Sequence, residues 1–569
     1  MTSSVTSRGA SMNVHGPRGR TRALIVGSGI AGLTTALELG DCMVITRSEL
    51  GDGSSRWAQG GIAAALGEGD APDRHAADTL TVSSGLSVPA IVEMITAAAP
   101  ERVRWLQHLG AELDLDGDGM LALGREAGHS DRRIVHAGGD ATGAAVMQAL
   151  VAAVRERPDI TVLEHQHVRD LVRADGQVVG VTTTGPRGGS EVLLADAVVL
   201  ATGGIGRVYA RTTNPVEATG DGLAMALRAG AIIRDPEFVQ FHPTALDATH
   251  DPLPLLTEAL RGEGAHLVDA AGRRYLVGEH PDAELAPRDV VARANWRQRR
   301  RGPIYLDARM IGDDFPTRFP TVFRAAMAAG IDPRRQPIPT TPAQHYHIGG
   351  IRTDGHGRTS LPGLFACGEA ASVGLHGANR LASNSLVEGL VMGARVAGAI
   401  GHQGSRTIDP RRLQVPAPPT HAASPNSTRE GGAAATVTRR DVTSHIDIPD
   451  LDGGGAADAI ARLREVMWEH GGLLRHADGL RAALEELDHL TPELARDDVG
   501  RNLAVVAEVV LRAALARDGS RGGHHRIDHP ENEPGPGRHT LVQRDDVPHV
   551  PLDGSAGLGG SDIRREVAS

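Results

Sequence analysis

Residues 23–39 read ALIVGSGIAGLTTALEL, and the fold of the rest of the chain follows from how this stretch is taken. The apolar run 23–26 is too short for a helix and is closed by Gly27, so it reads as a buried strand. Beyond it Leu33, Ala36 and Leu37 recur at helical spacing. Gly27, Gly29 and Gly32 stand between in the order G-x-G-x-x-G. In a dinucleotide fold the first glycine makes a tight turn and the second admits a pyrophosphate to the backbone. The third lets helix and strand pack closely, with phosphate at the helix N-terminus. The motif alone is weak, since a tight turn in an ordinary α/β core would use the same glycines. Its place between a strand pattern and a helix pattern gives it meaning.

The chain has 569 residues, which at roughly 150 per domain predicts three or four domains. Only 2% are aromatic, so the core must be built of Ala, Val, Leu and Ile packed around 71 glycines. A net charge of −11 leaves no electrostatic footprint for nucleic acid. Cys42 and Cys367 are far apart and flanked by apolar residues, which suggests neither a disulfide framework nor a metal site; a reducing cytoplasm is the simplest compartment. No apolar run approaches the ~18 residues that cross a membrane, and residues 1–20 lack the apolar segment of a signal peptide and are expected to be a disordered extension. There is no lysine: all 59 basic residues are arginine. Pyridoxal-phosphate chemistry on a lysine and P-loop phosphate binding are thereby excluded.

Residues 42–46 read as the second strand. A dinucleotide fold usually ends it on an acidic residue for ribose hydroxyls, whereas Arg47 stands there, with Glu49 two residues on. Residues 53–61, GSSRWAQGG, are dense in small residues and backbone donors, as suits either a loop along a large flat ligand or a plain surface loop. Residues 73–107 carry a helical pattern with Val92, Ile95, Val103 and Leu106 apolar. Residues 123–130, LGREAGHS, gather Arg125, Glu126 and His129 in a glycine-bearing loop, where functional groups concentrate, though solvated charge would look the same. A helix over 141–154, strands over 160–163, 177–183 and 196–200, and a helix opened by Thr219-Gly-Asp-Gly222 follow, with Asp221 placed to meet a ligand hydroxyl or to cap.

Between Phe238 and Ile348 the rhythm gives way to polar, proline-punctuated sequence, read as an inserted domain. It carries His242, Thr257, Glu258, Arg261, Arg288 and His345, although a single histidine is more often a satisfied structural residue than a ligand. The nucleotide fold resumes with a strand ending at Gly368-Glu369, where a glutamate can receive ribose hydroxyls, and a helix over 384–400. Between them LHGANRLASNS, 375–385, presents Arg380, whose planar fork suits bidentate carboxylate recognition. The expected divisions are 21–237 and 349–402 for the nucleotide domain, 238–348 for the insert, a linker over 403–452, a helical domain over 453–528 with Leu463, Leu480 and Leu503 on its apolar stripes, and an extended tail from 529.

Taken together, the glycine motif, AQGGIAA at 58–64, ATGG at 201–204, TGDG at 219–222, FHPT at 241–244, EALRGEG at 258–264, PRDVVAR at 287–293, HY at 345–346, CGE at 367–369 and HGANRLASNSL at 376–386 resemble the succinate dehydrogenase/fumarate reductase flavoprotein superfamily. Within it the chain is most similar to the branch that oxidises L-aspartate, over residues 21 to about 530. The resemblance implies an α/β fold: a Rossmann-like FAD-binding domain, an inserted α+β capping domain and a C-terminal helical bundle. It implies oxidation of L-aspartate to iminoaspartate, the first step toward quinolinate and NAD, with O2 (giving H2O2) or fumarate as acceptor and transfer of iminoaspartate to quinolinate synthase as a further partner. By motif, FAD would be held by Gly27, Ser28, Gly29, Ile30, Ala31 and Gly32, by Arg47, by Ser54, Ser55, Arg56, Trp57, Ala58, Gln59, Gly60 and Gly61, and by Asp221, Glu369, Ser385 and Leu386. A basic residue at the Arg47 position is common in that branch. The substrate set would be Glu126, His242, Thr257, Glu258, Arg288, His345 and Arg380.

The chemistry of these side chains agrees with those roles. A dianion calls for Arg380, Arg288 and the histidines on its carboxylates, and an ammonium calls for an acceptor such as Glu126. The superfamily makes Arg288 the proton carrier, yet an arginine with a pKa above ~12 is a poor base, so His242 and His345 stay open as alternatives. Two rival readings are a dehydrogenase or fumarate reductase subunit with iron–sulfur and membrane partners, and a flavin-binding protein without turnover. The first attaches FAD through a histidine four residues before the AQGG alanine. Ser54 occupies that position, which predicts non-covalent FAD.

Overall fold

The computed structural model describes residues 21–186, 188–404, 412–416, 454–533 and 537–544, and the backbone strands Val5–Ser7, Ala10–Met12 and Ser561–Val567. Its centre is the Thr21–Val26 strand, flanked in parallel by Cys42–Ile45 and Ser190–Leu200, so that Ile25 lies between Val44 and Val199. Ile160–Leu163 extends one edge, and Leu364–Ala366 pairs in parallel with Ser190–Leu200. Residues 23–26, 197–200 and 364–366 are buried on both faces, which is why they read as unbroken apolar runs, while the edge strand Ile160–Leu163 is partly exposed.

The glycine turn works by close approach. Gly27 has φ +110°, and a Cβ there would sit on the Ala201 carbonyl oxygen; a Cβ on Gly32 would sit on the carbonyl oxygen of Gly27. The Ile30–Leu39 helix therefore lies tight on its own strand, and its other side meets the Asn384–Gly401 helix. There Thr35 donates its hydroxyl to the carbonyls of Ala31 and Gly393, at 2.8 and 3.2 Å. Two glycine-assisted contacts thus bring residues near 385 against residues near 30.

The inserted segment forms a four-stranded antiparallel sheet in the order Val239–Leu246, Ile338–His347, Ile304–Asp307, His266–Asp269, with the Arg288–Arg299 helix packed on it. It has its own core around Leu246, Leu267, Val291, Leu306 and Phe315. In the first pair Gln240 faces Tyr346 but Phe241 faces Gln344, leaving His345 as the extra residue of a bulge. A bulge re-aims a side chain, here toward His242.

Gly454–His470, Ala477–Leu494 and Asp498–Ala516 form the helical part, the last two capped by His476 and Asp497. Their apolar stripes share one core with the back of the parallel sheet, Leu463, Leu480 and Val506 packing with Leu223 and Leu200. Residues 73–107 are two helices, Pro72–Val82 and Pro89–His108, because Ser84 and Gly85 turn left-handed at φ 56° and 72°. The His167–Ala174 strand carries too little alternation to be seen in sequence. Arg538–Arg544, in the expected extended tail, is the strand between Ile233–Arg234 and Ser561–Val567. In the expected extension the backbone pairs Val5–Ser7 with Ala10–Met12. The expected linker lies mostly outside the described residues; within it Gln414 bridges to Arg173.

Gly32→Ala is expected to cost about 1–3 kcal/mol by overpacking the turn. Gly398→Ala, where a Cβ meets nothing within 4 Å, should be neutral or gain up to ~1 kcal/mol. Chemical denaturation of the pair measures the difference.

Candidate active site

A cavity of about 1050 Å³ opens beyond the C-terminal ends of the parallel strands, from the glycine turn to the inserted sheet. Ligands of open α/β folds bind at that edge. The residues that the resemblance assigns to FAD and to substrate border it, except Gly32, which packs beneath the turn; Arg125, His129 and Arg261 do not border it. Its strand-end wall holds Gly27, Arg47, Ala201 and Cys367; its far wall holds His242, Glu258, Arg288 and His345 from the insert and Arg380 from the loop before the last helix.

The strand-end half fits a dinucleotide. The buried Gln59 Oε1 and Thr202 Oγ1 both border the cavity and have no hydrogen-bond partner within the protein. Such orphans call for a ligand with its own donors and acceptors. Ser55 Oγ accepts from the Ile30 amide at 3.1 Å, tying the 53–61 loop to the helix N-terminus. Arg47 does not replace a ribose acceptor; its Nη1 lies 3.3 Å from Asp221. Asn502 of the helical part donates to the other Asp221 oxygen at 2.8 Å. Burial would raise the Asp221 carboxyl, but His167 and Arg47 hold it well below the usual carboxylate range. Asp221 is thus an ionised group held from three sides, not a helix cap. Burial pushes the Glu369 carboxyl up to about 7, and its Oε1 accepts from the His347 amide at 2.8 Å.

The other half is built around Gln240, which sequence reasoning passed over. Its Oε1 accepts from Arg288 Nη1 and from Arg380 Nη1, both at 3.0 Å, and its Nε2 donates to the Arg380 carbonyl at 2.9 Å. Arg380 also donates to Ser385 Oγ at 2.6 Å, lies 4.7 Å over the Tyr346 ring and leaves Nε without a partner. Burial and the neighbouring Arg288 push its pKa down to about 10. Arg288 opens its helix and pairs through Nε with Glu258, which lies 3.2 Å from Arg261 on its other oxygen. Burial would raise the Glu258 carboxyl; Arg288 and Arg261 overcome it and hold the group below its usual range. Thr257 borders the cavity beside it.

His242 and His345 stand edge to face at 5.1 Å, the second bonded through Nδ1 to Thr213 at 2.9 Å. Burial and surrounding positive charge hold both well below 6.5, so both are neutral and weak bases. Glu126 is 5% exposed and His129 is buried, so the solvated-charge reading does not hold for them, while Arg125 of the same loop is exposed. Ser383 Oγ donates to its Oε2 at 2.7 Å, while its Oε1 lies toward Gly60. His129 of the same loop reaches the Ala382 carbonyl at 3.0 Å.

Comparison with known proteins accounts for this arrangement. The family described as FAD binding domain matches residues 22–386, and the one described as Fumarate reductase flavoprotein C-term matches residues 460–550. The chain is 44% identical to an L-aspartate oxidase of Streptomyces coelicolor, over 95% of this chain and 94% of that one. It is 46% identical to an L-aspartate oxidase of Caulobacter vibrioides, over 90% and 94%. The chain belongs to the L-aspartate oxidase family. Among solved structures, an E. coli quinol fumarate reductase matches at a TM-score of 0.81 with 30% identity, covering 97% of both chains. Sdh1 of Mycobacterium smegmatis matches at 0.77 with 28% identity, over 97% and 95%. As an L-aspartate oxidase family member the chain carries an FAD-binding domain. Among the described residues no helix is long and apolar enough to cross a membrane, and no cluster of metal-ligating side chains occurs.

Burial also holds His75 and His129, which staple the Glu126 loop region, near 4. Unfolded histidine titrates near 6.5, so the unfolded chain binds more protons between pH 6.5 and 4, and stability is lost as pH falls through that window. His75→Gln should flatten the fall of unfolding free energy between pH 6 and 4.5 by up to ~1.4 kcal/mol per pH unit. Denaturant titrations across that range measure it.

Proposed function

We propose that this protein oxidises L-aspartate to iminoaspartate, with O2 (giving H2O2) or fumarate as the final acceptor, as the first step toward quinolinate and NAD. The observation that carries this reading is one buried carboxylate, Glu126, in the same cavity as two arginines bridged by one amide. Arg288 and Arg380 suit the two carboxylates of a four-carbon dianion, and Glu126 suits its ammonium. Thr257 and the neutral His242 and His345 complete the far wall. The 27–31 turn, Arg47, the 54–61 loop, Asp221, Glu369, Ser385 and Leu386 would hold FAD non-covalently, and the chemistry it would supply is two-electron oxidation at the substrate Cα.

In the overall oxidation the Cα–H bond breaks with its electron pair, one proton leaves the ammonium side, and a C=N bond forms. Neutral His242 and His345 and the ionised Glu258 border the cavity as acceptors for that proton, all three held below their ordinary range. Glu258 is placed to take it through Arg288, whose guanidinium would gain one proton from the substrate as it passes another to the Glu258 carboxylate paired with its Nε. Arg261 lies 3.2 Å from the other oxygen of Glu258 and keeps that carboxylate in place. Residues 21–237 and 349–402 are read as the FAD-binding domain and 238–348 as a cap that brings Arg288 and Glu258 over Arg380. The protein works in the cytoplasm and hands iminoaspartate to quinolinate synthase.

Purified protein should produce H2O2 from aspartate and not from succinate, and acid precipitation should leave yellow flavin in the supernatant. Flavin retained by the denatured chain, with turnover of succinate, would return the dehydrogenase reading. Glu126→Gln leaves the ammonium unpaired; breaking a buried pair costs ~3–5 kcal/mol, so kcat/KM for aspartate should fall about 10²–10³-fold while fumarate reduction is kept. Equal losses on both would contradict the ammonium assignment. Glu258→Gln cannot take the proton, and kcat should fall about 10²–10⁴-fold with KM changed less; steady-state kinetics separates the two effects.

A further inference from the structure

We propose that Ser383 is the positioning residue through which this site distinguishes an amino dicarboxylate from a plain dicarboxylate; the inference rests on the aspartate reading above. Ser383 precedes the Asn384–Gly401 helix with φ 62° and ψ 6°, left-handed geometry that a non-glycine residue adopts at a cost. Glycine would take the same geometry freely. The serine side chain is 4% exposed and makes one bond in return: its Oγ donates to Glu126 Oε2 at 2.7 Å, across 257 residues of sequence.

The backbone around it is pinned so that this hydroxyl has one place to go. The Ser383 carbonyl accepts from the Ala63 amide at 3.1 Å. On one side the Ala382 carbonyl meets His129 Nε2 at 3.0 Å. On the other, the Asn384 side chain is held between His75 at 2.8 Å and Thr79 at 3.0 Å. One oxygen of Glu126 is thereby committed to Ser383, and the other, 3.5 Å from where a Gly60 Cβ would stand, remains for a cationic ligand group. A hydrogen bond from a neutral hydroxyl orients a carboxylate without cancelling its charge, which an arginine would do. Without it, Glu126 is free to turn toward Arg380, the cation that the substrate carboxylate needs.

Ser383→Gly tests this, because it removes the hydroxyl at a backbone position glycine prefers. Its melting temperature should equal or exceed that of the wild type. KM for aspartate should rise about 10–100-fold with kcat changed less, and the ratio of kcat/KM for aspartate to that for fumarate should fall at least tenfold. Ser383→Asn, which tolerates the left-handed region and keeps a donor, should restore part of that ratio. In a Glu126→Gln background Ser383→Gly should change the ratio no further. A glycine variant that keeps the wild-type ratio, or loses both activities equally, overturns the assignment while the wild type still oxidises aspartate. A wild type inactive on aspartate and active on succinate overturns the function and this inference together.

Discussion

One amide oxygen holds two arginines, Arg380 buried and Arg288 at the edge of burial. Gln240 Oε1 accepts from Arg288 and Arg380 at 3.0 Å each, so two like charges converge in one cavity with a neutral acceptor between them. Their repulsion adds to desolvation, and Arg380 is pushed down to about 10 in consequence. Removing one partner of a buried ion pair typically costs several kcal/mol, so the whole arrangement depends on anions arriving in the right places. The protein supplies Glu258 behind Arg288 and Glu126 on the opposite wall; a dianionic substrate supplies the rest. The site is complementary to what it binds because it is unbalanced without it.

The fold exists, in this sense, to keep that imbalance in register. Gln240 and His242 come from one strand of the inserted sheet and His345 from its partner, where a one-residue slip turns the imidazole inward. Arg288 comes from the first position of a helix lying on that sheet, while Arg380 and Ser383 come from the loop before a helix that packs on the first one through Gly389 and Gly393. The cofactor end is coupled to the helical part as well, since Asn502 holds Asp221 and accepts from Arg228 at 2.7 Å. Asp251, on a loop bordering the cavity, joins Arg207 at 2.6 Å to Arg464 of the helical part at 2.8 Å.

What was legible in sequence was local or repeated. The glycine turn could be read because backbone approach restricts residue type so sharply, and the three helices after 453 could be read from their stripes. Arginine and glutamate positions were legible as chemistry, since a motif of several charged residues beside glycines has few structural uses. The remaining features were set by long-range geometry that leaves no local signature. Gln240 looks like any polar residue of a strand, the His345 bulge depends on a register between residues a hundred apart, and the Ser383 bond to Glu126 joins two loops. Arg47 departs from the acidic strand end of a dinucleotide fold, and its partner Asp221 lies 174 residues away in sequence. The neutrality of His242 and His345 follows from burial and neighbouring arginines, neither of which spacing reveals.

The most direct test of the paired-arginine cradle is a comparison of L-aspartate with L-asparagine on the wild-type protein. Asparagine keeps the ammonium and the α-carboxylate and has nearly the same shape, but replaces the second carboxylate by a neutral amide. One buried guanidinium would then face no anion, at ~3–5 kcal/mol. The account predicts kcat/KM lower for asparagine by about 10²–10³-fold or more. Comparable turnover of the two would contradict it, for it would mean that one of the two arginines held by Gln240 does not meet a carboxylate.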